Sequence, residues 1–340
     1  GRCWGCHWQH ISYEAQLLLK QELLADQLWR LGRFEDATLL AALKPIIPSP
    51  RQWGYNHQIT LERLSQGGWG LPRADGRSLE PINECSVLHP ALHALYETLD
   101  IEFDELARLT LRLGSDGATM LILGMSNEEA PELSADFPTS ANALLPGNEP
   151  LNLFGDAASH YQVFDRTLRV TAGSFYRPNA PQVPQLVQAV LDLLQPQPDD
   201  AVLDLYAGVG VFSAFLAPQV SLVTLVESYP PAVTDADENL SDFDHIDVIE
   251  GGVEAVLPAL EDRYDAAVID APSQGMSATA LDALTALDLP RFVYLSDSPA
   301  TLAREIKRLG RKGYHVTAVQ PIDLAPQTYY VDSITRFEKG

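Results

Sequence analysis

A chain of 340 residues, 46% hydrophobic and 20% charged, holds enough apolar material for two domains with separate cores, and this composition excludes fibrous, low-complexity and disordered classes. No run of about eighteen apolar residues exists to cross a membrane, and three cysteines are too few for a disulfide framework. The net charge of −23 is shared by both halves and repels phosphate backbones except where basic residues gather.

Gly1 is not an initiator methionine, so a processed or trimmed start is expected. No secretory leader is read there, and the expected location is the reducing cytoplasm. Leu17, Leu18, Leu24, Leu28 and Leu31 sit near helical spacing and predict a helix over about 12–31, with Gly32 as its stop. Pro45 to Pro50 break the pattern. Residues 51–145 read as short strands and turns, among them a Gly67-Gly68 turn, an Asp75-Gly76 turn and the apolar run Ala118 to Leu123. Asp136 to Pro150 is turn-rich and reads as a surface connection.

From Val183 the pattern changes. Val183 to Leu194 predicts a helix, stopped by Pro196-Gln197-Pro198. A buried strand over Ala201 to Tyr206 precedes a helix that opens at Val211 to Leu216. Leu222 to Val226 is a strand ending in Glu227, and Val233 to Leu240 is a helix. Ala266 to Ile269 is a strand ending in Asp270. The strand Phe292 to Leu295, the helix Ala300 to Leu309 and the strand His315 to Val319 follow. Such alternation predicts an α/β fold with a doubly wound, mostly parallel sheet. Arg304, Lys307, Arg308, Arg311 and Lys312 form the one basic cluster, read as the solvated end of that last helix, near its negative dipole end.

The strongest local motif is Asp204-Leu205-Tyr206-Ala207-Gly208-Val209-Gly210-Val211-Phe212. It follows a strand and precedes a helix, where two glycines let a ligand approach the backbone closely. The third glycine of a dinucleotide fingerprint is missing. Glu227 ends the next strand, where a carboxylate can accept hydrogen bonds from ribose hydroxyls. Asp204, Gly208, Gly210, Glu227 and Asp270, each at a strand end, fit S-adenosylmethionine better than NAD, because no pyrophosphate cradle is present. Tyr206 can stack near the adenosine or pack on the sheet. Thiols at the spacing of Cys3 and Cys6 suit an iron–sulfur cluster or zinc, or are unconnected.

Further motifs fall in a fixed order. Cys3-Trp4-Gly5-Cys6-His7-Trp8-Gln9-His10 leads on to Tyr13, Gln16 and Lys20. Next come Asn83-Glu84-Cys85-Ser86-Val87-Leu88 and Ser174-Phe175-Tyr176-Arg177-Pro178-Asn179. Tyr294 to Arg304 is followed by Pro321-Ile322-Asp323, then Pro326-Gln327-Thr328-Tyr329-Tyr330-Val331-Asp332. Together with Asp204 to Phe212, these resemble the RNA uracil-5 methyltransferase family, the iron–sulfur bacterial branch that makes 5-methyluridine, from Cys3 to Asp332. The resemblance implies a β-rich central domain with an iron–sulfur-type cysteine motif over 1–165 and a Rossmann-like class I methyltransferase domain over 166–340. The family's N-terminal oligonucleotide-binding barrel is not expected, since none precedes Gly1. S-adenosylmethionine would be held by Arg177, Tyr206, Gly208, Gly210, Glu227 and Asp270. A 4Fe-4S cluster would take Cys3, Cys6 and Cys85, with a fourth ligand from elsewhere. RNA, ribosomal or transfer, is the implied partner, bound weakly given the charge; DNA and membranes are not, and a monomer is expected.

In the resembled family a cysteine adds to carbon 6 of uracil, the resulting enolate attacks the cofactor's methyl group, and a base removes the carbon-5 proton. A thiolate suits this step because it is soft, nucleophilic and able to leave again. The position that matches that cysteine is Asp297. Asp332 matches the glutamate base, Tyr330 the histidine before it and Arg177 a glutamine near the methyl group. Asp270-Ala271-Pro272-Ser273 keeps the acid of the family's Asp-Pro-Pro-Arg motif without its arginine. Two functions follow. The first is an RNA methyltransferase whose acceptor needs no covalent activation, with Asp297 or Asp332 as base. The alternative is a catalytically inactive family member that binds cofactor or RNA as an assembly factor.

Overall fold

A computed structural model of the chain describes every residue except 1, 2, 4, 33–35, 74–76, 83, 102 and 261. Trp4, the Asp75-Gly76 turn and Asn83 therefore lie outside the described residues. In chain order, the helices α1 (Tyr13–Gly32) and α2 (Asp36–Ala42) precede the strands β1 (Gln58–Arg63), β2 (Trp69–Pro72) and β3 (Leu79–Pro81). Helix α3 (Pro90–Thr98) leads to β4 (Leu106–Leu113), β5 (Thr119–Met125), β6 (Ser140–Leu145), β7 (Glu149–Phe154), β8 (Ala158–Val163) and β9 (Arg166–Thr171). Then come α4 (Val183–Leu194), β10 (Ala201–Leu205), α5 (Ser213–Leu216), β11 (Leu222–Glu227), α6 (Pro230–Asn239), β12 (Ile246–Glu250) and α7 (Val253–Val256). The chain closes with β13 (Ala266–Asp270), α8 (Ala278–Ala286), β14 (Arg291–Ser296), α9 (Pro299–Gly310), β15 (Tyr314–Ile322) and β16 (Asp332–Lys339). Two compact units form: Gly1–Tyr13 with Pro50–Val183 and Pro326–Thr328, and Glu14–Ser49 with Pro184–Ala325 and Tyr329–Gly340.

The first unit is built on a sheet of order β3-β2-β1-β4-β5-β6-β7, with the hairpin β8-β9 beside it in sequence. Neighbours in the seven-stranded sheet are antiparallel except β5 and β6. Leu61, Leu109, Leu111, Leu121 and Leu123 fill its core, and α3 adds Leu92 and Leu95. Sequence reading missed α3 and took Asp136 to Pro150 for a surface connection, whereas it contains β6, whose first four residues are buried. Small and polar residues hide that strand: Asn142 is buried only because its Nδ2 donates to Asp156 O at 3.0 Å and its Oδ1 accepts from Asn152 Nδ2 at 3.1 Å.

The second unit carries the sheet β12-β11-β10-β13-β14-β16-β15. The first five strands are mutually parallel, and β16 and β15 run antiparallel at the other edge. Strands buried on both faces read as continuous apolar runs, as Ala201 to Leu205 and Ala266 to Ile269 do. Helix α1 buries Leu24 and Leu28 in this core, but leaves Leu18 66% and Leu31 48% exposed. One helical stripe cannot take leucines at 17, 18, 24, 28 and 31 together. Helix α5 lasts one turn, because Pro218 converts the next to a 3-10 turn over Ala217–Gln219. Sequence reading passed over β12, α7, α8 and β16. No helix among the described residues is long and apolar enough to cross a membrane.

Candidate functional site

The parallel register brings the carboxyl ends of β10, β11, β13 and β14 to one edge of the second unit's sheet, where α/β folds place ligands. Asp204 is fully buried near the end of β10, and its Oδ2 accepts from Ser213 N at 3.1 Å and Ser213 Oγ at 2.7 Å. Its Oδ1 has no hydrogen-bond partner among the described residues. Burial pushes this carboxyl up to about 7; the bonds from Ser213 oppose that rise, and the charges of Asp270 and Glu227 add to it. The loop then turns through three left-handed residues, Tyr206 at φ 60°, Gly208 at 56° and Gly210 at 79°. A side chain added at Gly208 would enter open space, whereas one at Gly210 would press on Leu240 Cδ1 at 3.1 Å. Gly208 thus bares the backbone and Gly210 lets α6 pack closely.

Glu227 ties the loop to β11. Its Oε2 accepts from Gly208 N at 2.9 Å, and its Oε1 from Ser228 N at 2.7 Å and Tyr229 N at 2.8 Å. Ser228 Oγ adds a long bond to Oε1 at 3.5 Å, so Oε1 is filled, whereas Oε2 has a single donor and keeps an acceptor position for a ligand hydroxyl. Tyr206 is half-buried, and burial raises its phenol to about 12.

Asp297 and Asp332 come together at the same edge through an antiparallel pairing. Ser296 of β14 faces Ser333 of β16, so Asp297 just follows and Asp332 just precedes one rung. Asp297 is exposed and accepts a short hydrogen bond from Ser273 Oγ, in the segment after Asp270. The turn is held by Ser298, which caps α9 through Thr301 N at 3.3 Å, and by Thr301 Oγ1, which donates to Ser273 O at 2.9 Å. Asp332 is half-buried and pairs in register with Ile322. Next to Ile322, Asp323 accepts from Lys20 Nζ at 2.6 Å, with both side chains fully buried. Lys20 also donates to Ala325 O at 2.9 Å. Desolvation lowers the lysine's pKa, against the attraction of Asp323 and Asp332. Tyr329 and Tyr330 lie beside this turn with ring centroids 4.6 Å apart, each more than a third exposed.

Arg177 and the three cysteines belong to the first unit. Arg177 is half-buried, with its guanidinium carbon 5.9 Å from the ring centre of exposed Phe175. Arg112, which sequence reading missed, positions that segment. Its buried guanidinium donates to the carbonyls of Val170, Thr171, Ala172 and Ser174 at 2.9–3.4 Å, and Nε donates to Gln58 Oε1 at 2.8 Å. Tyr176 stacks on Tyr161 at 3.9 Å. Its one signal in the sequence is an arginine set between Leu111 and Leu113.

Cys6 is buried against Tyr55 and Val87, with Cys85 beside them, and accepts from Gln9 Nε2 at 2.7 Å. A hydrogen bond with Cys6 lowers Cys3 to about 6, while the same bond and burial raise Cys6; burial raises Cys85. The expected 4Fe-4S site is not found: among the described residues no three or more Cys, His, Asp or Glu side chains are grouped to hold a metal. A four-iron cluster takes four ligands of this kind, and the sequence supplies three cysteines.

The sheet order, the glycine turn and the acidic strand ends define an α/β fold of the methyltransferase type. A family model described as tRNA (Uracil-5-)-methyltransferase matches residues 157–339. The chain is 30% identical to an "Uncharacterized RNA methyltransferase" of Streptomyces avermitilis, over 99% of this chain and 81% of the relative. It is 29% identical to the 23S rRNA (uracil(1939)-C(5))-methyltransferase RlmD of Vibrio parahaemolyticus, over 99% of this chain and 80% of that one. The chain belongs to the tRNA (uracil-5-)-methyltransferase family. Its fold is similar to that of the Pyrococcus abyssi tRNA (uracil-54, C5)-methyltransferase solved with S-adenosyl-L-homocysteine, with a TM-score of 0.77 at 22% identity, covering 99% of this chain and 86% of that one.

Proposed function

We propose that this protein is an S-adenosylmethionine-dependent RNA methyltransferase that works without a cysteine nucleophile. One observation carries the reading: the edge that gathers Gly208, Glu227, Asp270, Asp297 and Asp332 lies in a unit with no cysteine, since Cys3, Cys6 and Cys85 all fall in the other. The residues fit the cofactor. Gly208 leaves the backbone open, Glu227 keeps an acceptor position, and Asp204 has a buried oxygen in search of a donor. When bound, the cofactor supplies an electrophilic methyl group on a sulfonium. Glu227 would take the ribose hydroxyls, and Tyr206 and Asp270 would line the adenosyl group. Asp297 or Asp332 would accept the proton of an RNA nitrogen or hydroxyl as that atom attacks. Bringing the two reactants together supplies most of the acceleration. No step is assigned to an iron–sulfur cluster.

The test is methyl transfer from labelled S-adenosylmethionine to total RNA, followed by digestion to nucleosides. A labelled nucleoside other than 5-methyluridine is expected, lost in Glu227→Ala together with calorimetric cofactor binding. RNA containing 5-fluorouridine should form no covalent adduct. Cofactor binding without any labelled nucleoside would favour the inactive, binding-only member instead. Labelled 5-methyluridine would overturn the altered chemistry.

A further inference from the structure

On the first unit, a cavity of ≈ 740 Å³ opens between the segment around Arg51 and Trp53 and the start of α3. Its size falls in the range of small-ligand sites. The wall is preorganised: Gly54 N donates to Ser86 O at 3.0 Å, Asn56 N to Val87 O at 2.9 Å, and His89 N to Asn56 O at 2.9 Å. Trp53 is 43% exposed, and Arg51 is exposed beside it. His89 and His93 line the opposite side, where Glu97 is engaged by His93 at 3.3 Å. An exposed indole next to a guanidinium offers the two contacts that a single-stranded nucleotide uses: a π-face for the base and a fork of donors for the phosphate.

The rest of the molecule sharpens this choice. Of the basic cluster at α9, the one cationic run in the sequence, Arg304, Arg308 and Lys312 are taken up within the second unit. Arg304 and Arg308 close on buried Glu305, Arg308 also donates to Met276 O at 2.9 Å, and Lys312 pairs with Asp282 at 2.6 Å. In a chain of charge −23, an RNA must find cation and aromatic surface together. We propose that this cavity is a nucleotide-binding site for single-stranded RNA, with Trp53 stacking one base and Arg51 pairing its phosphate. The inference rests on the RNA methyltransferase reading and adds to it the place where the substrate is gripped.

The test titrates the full chain with a labelled single-stranded RNA decamer, and separately with UMP, AMP and uridine. Trp53→Ala is expected to weaken decamer binding about tenfold or more, with Trp53→Phe keeping most of it. Arg51→Gln should weaken UMP and AMP while leaving uridine unchanged. Near-ultraviolet circular dichroism of each variant establishes that it is folded. Folded variants that bind the decamer as the unaltered chain does would overturn the proposal, as would an unaltered chain that binds none of these ligands. S-adenosylmethionine titrations of the same variants separate the two readings. Intact cofactor binding with unchanged RNA affinity sinks only the cavity. A chain that binds no cofactor but loses RNA on Trp53→Ala keeps the cavity and sinks the enzyme.

Discussion

Asp204 combines full burial with one unpartnered oxygen, and its carboxyl is raised from 3.8 to about 7. The sign of its effect follows. A carboxyl with a raised folded-state pKa keeps its proton in the native chain after the unfolded chain has lost it. Stability is then greatest below the unfolded value and falls as pH rises from 3.8 to about 7. The urea midpoint of Asp204→Asn should therefore fall less than that of the unaltered chain across this window; parallel curves would refute the assignment. A strand–loop–helix rhythm made Asp204, Gly208, Gly210 and Glu227 legible, because each owes its place to neighbours in sequence. Arg112 was not legible, since its carbonyl partners lie 58 to 62 residues away. Nor was the hydrogen bond between Ser273 and Asp297, which depends on the parallel register of β13 and β14.

Among the elements, α1 shows how a legible helix can hide its purpose. Periodicity predicted it, but the residue that matters is polar: Lys20, buried against Asp323 at a sequence separation of 303. Breaking a buried pair leaves an uncompensated charge, so Lys20→Met is expected to cost about 3–5 kcal/mol in chemical denaturation. The double variant Lys20→Met with Asp323→Leu should recover much of that, because two apolar side chains replace both ions. Recovery would show that the pair sets the place of the turn before Asp332 rather than adding net stability. Helix α9 was also legible, with its basic last turn, although its cap at Ser298 was not read. Its partners were not, because Glu305 is buried and collects Arg304 and Arg308 from its own helix.

For the molecule as a whole, charge decides how RNA is held. Many of its cations already serve carboxylates: Arg73 to Glu80, Arg291 to Asp200, Lys339 to Asp288, and Arg304 and Arg308 to Glu305. Binding should then depend on few phosphate contacts and more on stacking. Two contacts to a single strand give a salt slope of about −1.4, so a fourfold rise in salt should weaken binding about sevenfold. A loss of about a hundredfold or more over that range would mean a longer cationic track. The fold class could be read from alternating strands and helices, whereas the segments that cross between units could not: residues 14–49 join the later unit and 326–328 the earlier one.

This exchange of segments has a consequence for how the chain is made. Strand β16 lies inside its sheet, between β14 and β15, so the sheet stays open until residue 339 has left the ribosome. Helix α1 is synthesised near the beginning, yet most of the core that receives Leu24 and Leu28 is drawn from residues between Leu203 and Phe337, which are made much later. Vectorial, domain-by-domain folding is therefore closed to this architecture. Its nascent form must keep the apolar stripe of an amphipathic helix waiting, a burden that falls on the chaperones around the growing chain.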